Sequence, residues 1–165
     1  MKARVTAQRL IHAPAEVLYH CIADYRDHHR PGGFLPPAFT DFEIEAGGIG
    51  AGSRLRWVVE AGGRRRVVTA TVTQPEPGRT QVESGSGVET TFTVDPTSDG
   101  ARVRFDTVIE EDGLQGILNR LFLGRVLGPI YEDELRRLDA YARAHPPLVA
   151  AEPARRPVRP IRRVI

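Results

Sequence analysis

The chain contains little cysteine: Cys21 is the only one among 165 residues, so no disulfide can form within it. A lone thiol suits a reducing compartment, and we expect a cytoplasmic protein. The first six residues lack the apolar segment of a signal peptide. There is also no run of about 18 apolar residues, so we expect no transmembrane helix.

The short motifs of several common chemistries are missing as well. The chain has no His-Glu-x-x-His, no Gly-x-Ser-x-Gly and no paired cysteines, which lowers the odds of metal or serine hydrolase chemistry. The glycine-rich stretch 47–52 precedes a strand-like segment, whereas a nucleotide-binding loop is followed by a helix. We interpret this stretch as a flexible loop between strands. We therefore expect no metal and no cofactor.

Charge is nearly balanced, with a formal net charge of +2, and the C-terminal end is far more basic than the rest of the chain. Five arginines lie in the last eleven residues, interspersed with prolines. This composition predicts a domain over 1–144 and a disordered basic tail over 145–165. Because the remaining body is close to neutral, we expect no nucleic-acid groove. An interaction module that uses the tail stays open, although a solubilising tail is the simpler interpretation.

Hydrophobic periodicity predicts one order of elements. Residues 3–11 alternate as a strand, and a short helix follows Pro14. Strands joined by glycine- and proline-rich turns come next, and this pattern is typical of an antiparallel meander. From Leu114 to Ala144 the period becomes 3.6, with Pro129 expected to kink or split the helix. The strand-like runs are 39–46, 54–60, 67–73, 80–84, 88–94 and 103–109.

Several local features resemble those of one known superfamily. They are the Ile11-His12-Ala13-Pro14-Ala15-Glu16-Val17 entry, the Ile22-Ala23-Asp24-Tyr25 segment, the glycine-rich turn and the long final helix. Over about residues 3–144 the chain resembles the START-like (SRPBCC) superfamily, in particular its polyketide cyclase/dehydratase-like proteins. The resemblance implies an α+β helix-grip fold. That fold has a seven-stranded antiparallel sheet wrapped around a long C-terminal helix, and two short helices after the first strand. It also implies a cavity between sheet and helix, and it carries over no catalytic residue.

The inner strand faces and the final helix supply the candidate ligand contacts. Aromatic side chains and hydroxyls there suit a ligand that is mostly hydrocarbon, although ordinary core packing explains the same residues. Arg9 lies on an otherwise apolar face, so it must be paired or meet an anionic ligand, unless a register shift turns it to solvent. The predicted ligand-binding residues are Arg9, Trp57, Thr90, Phe92, Phe105, Thr107 and Tyr131.

Candidates for proton transfer are few. His28 and His29 lie in a proline-rich loop at the expected mouth of the cavity, and Tyr131 lies on the final helix. Adjacent histidines in an extended loop point apart, which is poor geometry for sharing one metal. We interpret the charges at 132–134 and 136–137 as a solvated helix face.

Two main hypotheses about function follow from these features. The first is binding of a small hydrophobic molecule, such as a lipid, a quinone, a polyketide or an aromatic metabolite, by a monomer or homodimer. The second is a polyketide cyclase/dehydratase-type enzyme that positions such a molecule and transfers a proton.

Overall fold

The computed structural model describes residues 2–29, 33–110 and 114–145, and only the backbone of Lys2 and of residues 114–124. Neither helix in this part of the chain has the length and apolar character needed to cross a membrane. The described elements are β1 Lys2–Ile11, α1 Ala15–Ala23, β2 Phe39–Ala46, β3 Arg54–Ala61, β4 Arg64–Glu76, β5 Thr80–Gly85, β6 Val88–Thr97, β7 Gly100–Glu110 and α2 Leu114–Ala144.

The seven strands form one antiparallel sheet in the order β1-β7-β6-β5-β4-β3-β2. From β2 to β7 each strand pairs with its sequence neighbour, as tight turns require. Gly62 and Gly63, with φ of 57° and 73°, form one such turn, and Ser86 and Gly87 form another. β1 pairs with β7 along its whole length. The predicted α+β helix-grip fold is confirmed.

The main core lies where α1 and α2 pack on β1, β6 and β7. Ile11, Leu18, Phe105, Leu135 and Leu138 are each less than 2% exposed. Burial of a side chain of this size contributes about 1.5–3 kcal/mol relative to exposure. The core thus holds α2 against the β1 end of the sheet.

Three details differ from the sequence-based expectations. Within residues 2–29 and 33–38 there is one short helix after β1, α1, in place of the two that the resemblance implies. α2 is not split at Pro129, which was one of the two expected outcomes, and continues through it as one helix, with Leu127 and Tyr131 buried on either side. Residues 47–52 do separate two strands, but this loop is bonded to the end of α1, through Gly50 N–H to Ala23 O at 2.9 Å.

The predicted basic tail from 146 onward lies outside the described residues. The boundary at residue 144 therefore stays a prediction, although α2 does end there.

Candidate functional site

A cavity of about 210 Å³ lies between the concave face of the sheet and α2. Side chains from β2 to β7, from the loop before β2 and from α2 line it. Its wall is mainly apolar, and its larger apolar members are Phe39, Phe42, Trp57, Val68, Phe92 and Leu127. A mostly apolar cavity with a few polar groups is typical of a site for a small organic molecule.

The structure brings five of the nine predicted site residues to this cavity. They are His29, Trp57, Thr90, Phe92 and Tyr131. Phe105 and Thr107 are fully buried and lie behind the wall. Phe105 packs edge-on against Phe92, with ring centroids 4.9 Å apart, so it supports the wall from behind.

A bulge in β2 places two aromatic rings on the cavity wall. The pairing of β2 with β3 shifts between Thr40 and Glu43, and Asp41 adopts a φ of 49°. An extra residue in one strand changes which side chains face the same way. Phe39 and Phe42 therefore both line the cavity, although they are three residues apart.

The hydroxyl groups of the wall bind one another. Thr90 Oγ1 lies 2.9 Å from Thr107 Oγ1, which lies 2.8 Å from the Tyr131 hydroxyl. Burial raises the pKa of Tyr131 to about 12, so the phenol stays protonated at neutral pH. Because these three groups satisfy one another inside the protein, they are poorly placed to act as a catalytic base.

Arg9 lies away from the cavity and has a partner on α2. Its Nε donates to Asp139 Oδ2 at 3.3 Å, and Asp139 also accepts hydrogen bonds from Arg143. The arginine on an apolar face is therefore paired within the protein.

His29 lies in an aromatic surround at the cavity wall. Its ring centroid is 4.6 Å from that of Tyr25 and 4.8 Å from that of Phe34, and it stacks on Phe42. Burial lowers its pKa to about 4, so the imidazole is neutral at pH 7. Nδ1 donates to the Asp24 carbonyl at 3.2 Å, which leaves Nε2 as the acceptor nitrogen.

His28 points away from the cavity, as adjacent loop residues do. Its Nδ1 lies 2.7 Å from the Tyr141 hydroxyl on α2, and partial burial lowers its pKa. His20, Asp24 and His28 each have a ligand-type atom within 4.8 Å of the others. Bonds of about 2.1 Å bring tetrahedral zinc ligands closer together than that, so these side chains would have to rotate to hold a metal.

Glu83 is a half-buried acid of the cavity wall that the sequence interpretation missed. The pairing of β5 with β6 sets it opposite Thr90, on the cavity face. Its Oε1 accepts a 2.7 Å hydrogen bond from Tyr25, whose oxygen accepts one from Gln81. Burial raises the pKa of Glu83 to about 7. A two-residue hairpin turn at residues 86–87 sets Glu83 opposite Thr90, which was predicted to face the cavity. The position of Glu83 could therefore have been inferred from the sequence.

Glu134 corrects the interpretation of 132–134 as a solvated face. It is only 5% exposed and lines the cavity, whereas Glu132 is exposed and Asp133 bonds Arg136 and Arg137. Burial, and then the nearby negative charge of Glu83, raises its pKa well above the ordinary value. Its spacing of three residues from Tyr131 and seven from Leu127 was the available sequence signal.

Comparison with known proteins agrees with this architecture. A family model described as "Polyketide cyclase / dehydrase and lipid transport" matches residues 2–143. No curated protein sequence matches the chain.

Solved structures share the fold at low sequence identity. The KanY protein (ms6282) has a TM-score of 0.73 and 24% identity, over 87% of this chain and 99% of that one. TTHA0849 from Thermus thermophilus has a TM-score of 0.69 and 24% identity over the same shares. StfQ, a di-domain ARO/CYC from the steffimycin biosynthetic pathway, has a TM-score of 0.69 and 15% identity over 88% of this chain and 52% of that one. The fold and the family match together show that the chain belongs to the polyketide cyclase / dehydrase and lipid transport family.

Proposed function

We propose that this protein binds a small hydrophobic molecule, such as a lipid, a quinone, a polyketide or an aromatic metabolite, between the sheet and α2. The observation that carries the proposal is the cavity of about 210 Å³ with its mainly apolar wall. The family description, which includes lipid transport, supports the same class of ligand.

Removal of the ligand from water supplies the driving force. Burial of apolar surface is worth about 25 cal/mol per Å². A cavity of about 150 Å³ in another protein holds benzene, so the space here suffices for a comparable apolar group. Trp57 and Phe92 provide flat apolar contacts in the wall.

Native mass spectrometry of the purified protein, followed by solvent extraction, is the direct test. A bound apolar molecule would support the proposal and name its class. Titration with the neutral dye Nile red extends the test to protein that is purified empty. A protein that carries nothing and binds no dye contradicts the proposal.

A matched pair of variants on β4 locates the binding. Val68 faces the cavity and is 5% exposed, whereas its neighbour Val67 is 48% exposed on the other side of the strand. We expect Val68→Phe to weaken dye binding at least tenfold by filling the cavity, and Val67→Phe to leave it unchanged. Equal affinities for both variants, with both folded by circular dichroism, would place the dye elsewhere.

The second candidate function is proton transfer on the bound molecule, of the cyclase/dehydratase type. It is favoured by His29, whose neutral Nε2 is the acceptor nitrogen at the cavity wall. The extracted molecule is incubated with protein and followed by mass or absorbance. Turnover that is lost in His29→Gln and kept in His28→Gln supports the enzyme. An unchanged molecule with wild-type protein contradicts it.

We further propose a cytoplasmic monomer or homodimer whose tail, 145–165, is a solvated appendage. The single free thiol, which is buried, supports the location. The high share of proline and arginine supports the assignment of the tail.

A further inference from the structure

We propose that the cavity selects hydrophobic molecules that carry a protonated amine, and that Glu83 and Glu134 receive this amine. The inference rests on the proposed binding function and specifies the polar end of the ligand. Both acids line the cavity, one from the sheet and one from α2.

Glu134 has no hydrogen-bond or ion-pair partner within the described part of the chain, although the residue is 95% buried. No fully enclosed side-chain oxygen or nitrogen in that part lacks a hydrogen bond. The carboxyl oxygens of Glu134 must therefore reach the open space of the cavity. A buried carboxyl without a partner is costly, and a ligand that donates hydrogen bonds to it removes that cost.

Glu83 supplies a second acceptor close enough to Glu134 for their charges to interact. Its only hydrogen bond within the described residues comes from Tyr25, so a carboxyl group has acceptor capacity left. Two carboxyls at one place in an apolar cavity favour a cation over a neutral or anionic group. An alkyl or aryl ammonium combines such a cation with the hydrocarbon that the rest of the wall favours.

The other charged or titratable groups of the cavity do not oppose this arrangement. His29 is neutral, and burial raises the pKa of the Tyr131 phenol. Burial likewise raises the pKa of Tyr25, which is not part of the wall but donates a hydrogen bond to Glu83. Arg64 and Arg66 lie at the exposed end of β4 and already have partners. The Arg66 guanidinium donates a 2.7 Å hydrogen bond to the backbone carbonyl of Ser86, in the turn that follows β5.

The charge balance of binding predicts a pH dependence. Burial raises the pKa of Glu83 to about 7 and that of Glu134 well above its ordinary value, so at pH 6 the protonated forms are favoured before a ligand binds. When an ammonium ion binds, a carboxyl becomes a carboxylate and its proton passes to solvent. Amine binding should therefore tighten as pH rises from 6 to 8, a range in which alkyl ammonium ions keep their own proton. An alcohol of the same length displaces no proton and should show no such trend.

Isothermal titration with octylamine, octan-1-ol and octanoate at pH 6 and pH 8 tests the inference. At pH 8 we expect octylamine to bind at least tenfold more tightly than octanol, and octanoate to bind most weakly. Glu134→Gln, and separately Glu83→Gln, should reduce this preference to threefold or less. Glu132→Gln, on the exposed face of the same helix turn, is the control and should keep it.

The outcomes separate this inference from the proposed function. If octanol binds but octylamine is not preferred, the cavity is a hydrophobic site and the amine inference is wrong. If the preference persists in both folded glutamine variants, the two acids do not cause it and the inference is equally wrong. If none of the three compounds binds, the proposed function fails, and the inference fails with it.

Discussion

Glu83 shows how a single residue departs from its ordinary behaviour inside this fold. A carboxyl near the wall of an apolar cavity has lost much of its hydration, and the hydrogen bond from Tyr25 offsets this loss only in part. The same loss affects Glu134, which has no such donor among the described residues. Both residues belong to segments of mixed polar composition. Their raised pKa values arise only because their side chains face the cavity.

The raised pKa of Glu83 predicts that stability falls with rising pH. The folded state holds a proton up to about pH 7, whereas the unfolded carboxyl loses it near 4.5. The stabilisation is thus full below pH 4.5 and is lost as pH rises through 7, by about 2–3 kcal/mol. Urea denaturation between pH 5 and 8 should show this decline. It should be shallower in Glu83→Gln and unchanged in Glu89→Gln, a variant on the exposed face of β6. Equal slopes in all three proteins would contradict the assignment.

At the scale of elements, the alternation of side chains predicted most strands well. In β3 and β4 the apolar side chains face inward, as their alternate spacing indicates, because both strands are regular there. They are Leu55 and Trp57 in β3, and Val68 and Val72 in β4. The prediction is incomplete in β2, where a bulge turns both Phe39 and Phe42 to the cavity. A bulge leaves little trace in a single sequence, since it depends on pairing with the neighbouring strand.

Two glycines predict opposite effects of an added methyl group. A Cβ on Gly85 in β5 would overlap the backbone carbonyl of Thr69 in β4, whereas one on Gly128 in α2 would meet open space. We expect Gly85→Ala to lower the free energy of unfolding by about 1–3 kcal/mol. Gly128→Ala should raise it by about 0.5–1 kcal/mol, through helix propensity and a less flexible unfolded chain. Chemical denaturation measures both. A stabilising Gly85→Ala would show that the two strands can separate at this point.

At the scale of the whole molecule, the fold joins a tight core to an open cavity. α2 packs on β1 and α1 at one end, and the strands β2 to β5 extend beyond that core. Side chains that line an open cavity pack less tightly than core side chains. The packed core therefore has to supply most of the folding stability.

The assignment of 145–165 as an appendage predicts that its removal changes little. A chain that ends at His145 should keep its melting temperature within about 2 °C and its affinity for Nile red within twofold. Thermal unfolding and the dye titration measure these quantities. A drop of about 10 °C or more would show that the tail packs on the domain.

The amino-acid sequence by itself determined the order of elements, the antiparallel meander, the family resemblance and the wall residues Trp57, Phe92 and Tyr131. These features follow from local periodicity, from turn residues and from short motifs that neighbouring residues carry together. Tertiary structure decided the pairing of Arg9 with Asp139 and the aromatic surround of His29. It also decided the convergence of Glu83 and Glu134 on one cavity. These contacts join residues that are far apart in the chain, and burial gives the two acids their properties only once β5 and α2 face each other.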